Sequence, residues 1–106
     1  MGPKGMIRSA LVSRARSRSM MTYTEVARLV GVEPHDPRLS GWLGEISREE
    51  DEAGRGMLSA IVVHKAGDME PGWGFFEFAA GLGRDVHNTT AFWVEEVKRV
   101  YRAWSR

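Results

Sequence analysis

Lys4, Arg8, Arg14, Arg16 and Arg18 stand in the first 21 residues of the chain without a single acid among them. Guanidinium groups in such a run are phosphate ligands, able to lie along a nucleic-acid backbone or to reach into a minor groove. The remaining chain carries 10 basic and 14 acidic residues, so the formal total of +1 joins a +5 segment to a −4 body. Attraction to a polyanion must therefore start from the N-terminal end, at Arg14, Arg16 and Arg18. A second candidate set is Arg38, Ser40, Ser47 and Arg48, which share one predicted helix, with Lys65 beside His64 at the base of a glycine-rich loop. Arginine and lysine can bind phosphates or base edges and serine can bind either, while small residues let a helix approach a duplex closely. Against this placement, Glu49-Glu50-Asp51-Glu52 puts four acids at the end of the same helix. They must point away from a phosphate backbone or pair with the arginines of residues 14–18.

Other chemistries lack their parts. The chain has no cysteine, which removes disulfides, thiolate zinc sites and thiol nucleophiles together. His35, His64 and His87 are separated by 29 and 23 residues, a spacing that matches no metal-ligand motif. There is no Gly-x-Ser-x-Gly elbow, and Gly81-Leu-Gly83 lacks the third glycine and the preceding strand of a dinucleotide loop. No nucleophile, base and orienter can be assembled, so no catalytic, cofactor-binding or metal-binding residue is expected.

The elements that would position these residues can be read from periodicity and capping. Residues 1–5 read as a flexible lead, and Ile7, Ala10, Leu11 and Ala15 predict a helix from Met6 to about Ser17. Thr22 and Glu25 form a capping box before Val26, Leu29 and Val30, giving a helix over 23–30 closed by Gly31. Asp36 caps a helix with Pro37 at its first position and an apolar stripe of Leu39, Trp42, Leu43 and Ile46, running to about Glu52. Leu58 to His64 reads as a strand, and Lys65 to Gly74 as an extended loop or wing. Phe75–Leu82 and Thr90–Trp104 read as two final helices, the second with its acids early and its cations late, as the helix dipole prefers. The expected class is mainly α with a small β element. The order helix, helix, helix, strand, wing, helix, helix is that of a single winged helix-turn-helix-like domain over 6–106.

With 106 residues, 42% of them hydrophobic, the chain can bury one modest core. Its longest apolar runs are far shorter than the roughly 20 residues a bilayer-spanning helix needs, so no membrane partner is expected. The basic start lacks the apolar stretch of a secretory signal, and the absence of cysteine suits a reducing cytoplasm, the expected location.

Met21-Thr-Tyr-Thr-Glu-Val-Ala-Arg-Leu-Val-Gly31 resembles the T-Y-x-E-(L/V)-A-x-x-(I/V)-G opening of the winged-helix DNA-binding domain in alkylguanine-DNA alkyltransferases and alkyltransferase-like proteins. The likeness covers about eleven residues and stops there: the Pro-Cys-His-Arg acceptor motif of that family is missing, and no sulfur nucleophile exists to take an alkyl group. Over roughly residues 6–104 the chain is also similar to a group of bacterial and phage proteins without an assigned activity. The shared stretches are His35-Asp-Pro-Arg-Leu-Ser40, Leu43-Gly-Glu-Ile-Ser47, Gly56-Met-Leu-Ser-Ala-Ile-Val-Val-His-Lys65, Pro71-Gly-Trp-Gly-Phe-Phe76 and Phe92-Trp-Val-Glu-Glu96. The resemblances strengthen the winged-helix expectation and say little about the task. The helix-turn-helix layout and the +5 N-terminal segment give the expected function, a non-enzymatic DNA-binding protein, a phage or mobile-element regulator or recruiting module, contacting double-stranded DNA. The alternative is a protein-protein adaptor or inhibitor docking through the acidic helix end and the aromatic last helix, where Val97-Lys-Arg-Val-Tyr-Arg-Ala-Trp104 supplies interface anchors.

Overall fold

The structure, a computed structural model, describes residues 2–64 and 71–105, excluding the side chain of Trp73. It is mainly helical. Helix α1 spans Pro3–Arg16, strand β1 Met21–Thr22, α2 Tyr23–Val30, α3 Pro37–Glu52, strand β2 Val62–Val63, α4 Trp73–Gly81 and α5 Thr89–Trp104. No helix among the described residues is long and apolar enough to cross a membrane.

The capping signals act as the sequence predicts. The Thr22 hydroxyl accepts the Glu25 N–H at 3.1 Å while the Glu25 carboxylate accepts the Thr22 N–H at 3.0 Å. Asp36 accepts the Arg38 N–H at 2.9 Å, and Asn88 starts α5 by accepting the Ala91 N–H at 3.0 Å. Residues 3–5 are helical rather than a flexible lead. Pro3 occupies a first-turn position where its missing N–H costs nothing, and Lys4 is held by Glu49 of α3 at 2.6 Å. Ile7, Leu11 and Ala15 then bury one face of α1.

The expected strand from Leu58 is mostly something else. Leu58–Ile61 form a 3₁₀ turn, and only Val62 and Val63 pair, in parallel, with Met21 and Thr22. Every residue from Met57 to Val63 is buried, so this segment runs through the core. Its backbone groups cannot reach water and find side chains instead. Met57 N–H donates to Glu96 at 2.8 Å, Ser59 N–H to the Ser47 hydroxyl at 3.0 Å, and Trp93 Nε1 donates to the Ala60 carbonyl at 2.8 Å. The apolar run identified burial, not strand geometry. Trp73 and Gly74, expected in the loop, begin α4. Residues 65–70, where the sequence predicts the wing, lie outside the described residues.

Two glutamates, each 1% exposed, cross-link the helices. Glu50 of α3 accepts both Nε and Nη2 of Arg55, at 2.7 and 2.9 Å, and also pairs with Arg8 of α1. Glu96 of α5 accepts both terminal nitrogens of Arg84, at 3.1 and 2.7 Å, and Arg84 and Arg99 both reach Asp51 of α3. Carboxylates so far from water are tolerable only when their lone pairs are filled, and these are.

Removing one partner should therefore be costly. Glu96→Ala is expected to lower unfolding free energy by about 3–5 kcal/mol in a urea titration, because it orphans the buried Met57 N–H and leaves Arg84 and Arg99 to share Asp51 alone. The exposed neighbour change Glu95→Ala should cost under about 0.5 kcal/mol; similar losses for the two would contradict the cross-link. The Arg55 guanidinium, with Arg8 beside it, holds the Glu50 carboxyl below its ordinary value of 4.5. Since the folded state then releases this proton more readily than the unfolded state, Glu50's contribution is complete above about pH 4.5 and is lost as pH falls below it. Glu50→Gln should flatten that acid limb of a stability-against-pH curve.

Candidate nucleic-acid interface

Four helices, α1 to α4, end in the same turn, a left-handed residue whose N–H bonds back within the last turn while the next N–H reaches a carbonyl five residues earlier. Three of them place Gly31, Gly54 and Gly83 at the left-handed position. The fourth places Arg18 there, at φ 53°, with Arg18 N–H donating to Ala15 at 3.1 Å and Ser19 N–H to Arg14 at 2.9 Å. A side chain with a Cβ in this conformation costs roughly 1 kcal/mol or more relative to glycine. The arginine is exposed, makes no ion pair among the described residues, and lies 6.0 Å from the Tyr101 ring centroid of α5. Burial raises the Tyr101 hydroxyl pKa, and the nearby Arg18 charge opposes that rise.

Arg18 has company. Arg16 sits 6.0 Å from the Trp104 ring centroid, and Arg55 sits 5.3 Å from the same ring. Trp104 Nε1 is buried with no acceptor among the described residues. Arg102, in the last turn of α5, is exposed and unpaired. The ends of α1 and α5 thus share a basic surface built over two aromatic rings. Among the described residues, the cations without a carboxylate are Arg16, Arg18, Arg28, Arg48 and Arg102; Lys4, Arg8, Arg14, Arg38, Arg55, Arg84, Lys98 and Arg99 are all paired.

The remaining sequence candidates divide. Arg14 is committed to the fold, with one nitrogen on the Met20 carbonyl and the other 2.8 Å from Glu25. The Thr22 N–H first, and Arg14 second, hold the Glu25 carboxyl below its usual range. Ser47 is corrected: it is 0% exposed, its hydroxyl bridging to Ser59 at 2.6 Å, and it cannot touch a ligand. Arg38 is exposed but neutralised by Asp36, with Nη2 at 2.8 Å and Nε at 3.1 Å. Arg48 lies 5.4 Å from the Phe78 ring centroid of α4, which also presses on α3 where Gly44 leaves room. Ser40 remains exposed. Lys65 lies outside the described residues.

The small, polar face of α3 is therefore not an open reading surface. Phe78 covers Gly44 and Ser47 is buried, while Arg48 stays exposed among Glu45, Glu49 and Glu52. The acids at its end pair with Lys4, Arg8, Arg55, Arg84 and Arg99, not with residues 14–18 beyond the Arg14–Glu25 pair made elsewhere. The same pairing engages Glu49, Glu50 and Asp51 of the alternative docking surface and leaves Glu52 exposed, and Val97 and Val100 of α5 face the core. The sequence reading missed Arg102 as a partner of Arg16 and Arg18. The signal was the absence of glycine after α1 and a cation in the final turn of α5.

This is a small helical protein with a segregated basic and aromatic end. No family model, curated protein or solved structure matches the chain.

The backbone argument has a direct check. Arg18→Gly should raise unfolding free energy by about 1 kcal/mol, since glycine relieves the left-handed strain at the loss of one exposed cation–π contact. A fall of that size in a denaturant titration would show that the Arg18 side chain stabilises the fold and is not retained for another task.

Proposed function

We propose that the protein is a non-enzymatic DNA-binding protein that holds the phosphate backbone of a duplex at the joined ends of α1 and α5. The observation that carries this reading is Arg18, an exposed arginine with no carboxylate partner among the described residues, held where three sister turns use glycine. Backbone strain kept at a surface position is a mark of function when nothing structural requires the side chain. Arg16 and Arg102 supply adjoining positive charge, and phosphate contact by such groups is independent of base sequence.

The order of α1, β1, α2, α3 and β2 supports a winged helix-turn-helix as the finer description, with α2 and α3 as the helix pair. On this reading α3 serves as scaffold and the groove-reading role expected of its serines falls away. Binding through a few arginines is weak, salt-dependent and suited to a recruiting module more than to a sequence-specific regulator.

Fluorescence anisotropy of a labelled duplex should show log Kd rising with log salt at a slope of about 2.7, the value for roughly three phosphate contacts. Arg16→Ala with Arg18→Gly should reduce that slope by about 2. Because Arg18→Gly is expected to stabilise the fold, lost binding cannot be blamed on unfolding. No binding at low salt, or a slope unchanged in the double variant, would refute the proposal.

A further inference from the structure

A cavity of about 700 Å³ opens between the N-terminal ends of α2 and α3, the residues before β2's exit and α4. That volume lies in the range of small-molecule sites. Leu39, Leu43, Phe75 and Phe78 form apolar walls, and none of the described lining residues carries a fixed charge, although 27% of the chain is charged. Its rim is polar. The Tyr23 and His64 rings stand 4.6 Å apart, Tyr23 fixed by accepting the Gly72 N–H at 3.2 Å. Gly72 packs so closely on His64 that an added Cβ would meet Nε2 at 2.9 Å. The side chains of His64, His35 and Ser40 have no hydrogen-bond partner among the described residues.

Flat ring faces, apolar walls, donors and acceptors at the mouth and, among the described lining residues, no fixed charge point to a ligand of one kind. A charged group would lose its hydration without a counter-ion, and a saturated hydrocarbon would leave the rim groups unused. We infer that this pocket binds a neutral planar heteroaromatic ring, a nucleobase, by stacking and hydrogen bonding. The ring can arrive as a free nucleoside or as a base extruded from a nucleic acid. The inference does not rest on the arginine surface, which contributes no residue to the cavity.

Titration calorimetry of the full chain with adenosine tests it. Adenosine should bind, and Ser40→Trp, which fills the mouth from an exposed helical position, should weaken binding by about tenfold or more. His64→Ala should weaken it as well, while Arg18→Gly should leave it unchanged even if duplex binding is lost. A duplex with one unpaired adenine separates the sources. Tighter binding than to the paired duplex, abolished by Ser40→Trp, assigns the ring to nucleic acid, and equal binding assigns it to the free nucleoside. The inference is overturned if adenosine does not bind, if Ser40→Trp leaves its binding unchanged, or if benzene binds as well as adenosine.

Discussion

Two carboxylates, Glu50 and Glu96, lie almost wholly out of water, and the arrangement of the helices follows from how they are satisfied. Glu50 draws Arg8 of α1 and Arg55 of the turn after α3 to one point. Glu96 draws Arg84, Arg99 and the Met57 N–H to another, and Asp51, the residue after Glu50 on α3, accepts from the same two arginines. Buried ions of this kind add little net stability over a well-packed apolar core, but breaking one is severe. They tie α1 to α3 through Arg8 and Glu50, and α3 to α5 through Asp51 and Arg99. They also let Met57–Val63 cross the core with only two residues in a sheet, since side chains take over the work of a ladder.

This lattice also decides where charge remains for a ligand. It absorbs the cations around Glu49, Glu50 and Asp51 at the end of α3, which lowers the net negative charge there. Of the five arginines it leaves unabsorbed among the described residues, Arg16 and Arg18 lie over Trp104 and Tyr101 and Arg102 stands in the last turn of α5, while Arg28 and Arg48 belong to α2 and α3. A chain with a formal charge of +1 can thus present a local positive field, because attraction depends on distribution and not on the total.

Local signals in the sequence were reliable guides to local structure. The Thr22–Glu25 box, the Asp36-Pro37 start and the Gly31 stop are satisfied within a few residues and need no knowledge of the rest. The apolar stripes of α3 and α5 were legible for the same reason. What required partners far along the chain was not: Ser47 reads as a polar surface residue until Ser59, twelve residues on, is placed against it. Likewise the acids after Glu49 look like a solvated or repulsive end until Arg84 and Arg99 arrive from beyond residue 80. Leu58–Ile61 has strand-like composition, and only the pattern of side-chain acceptors around it explains the tighter turn. At the candidate interface, Arg16 and Arg18 were visible as charge, but their stacking on α5 was not.

The central claim is that DNA meets the α1–α5 end and not α3. Arginine side-chain Nε–Hε resonances report this one group at a time, in a heteronuclear NMR titration with a short duplex. The account predicts shifts at Arg16, Arg18 and Arg102, with Arg38, Arg84 and Arg99 unmoved. Shifts centred on Arg38 and Arg48 instead would contradict it.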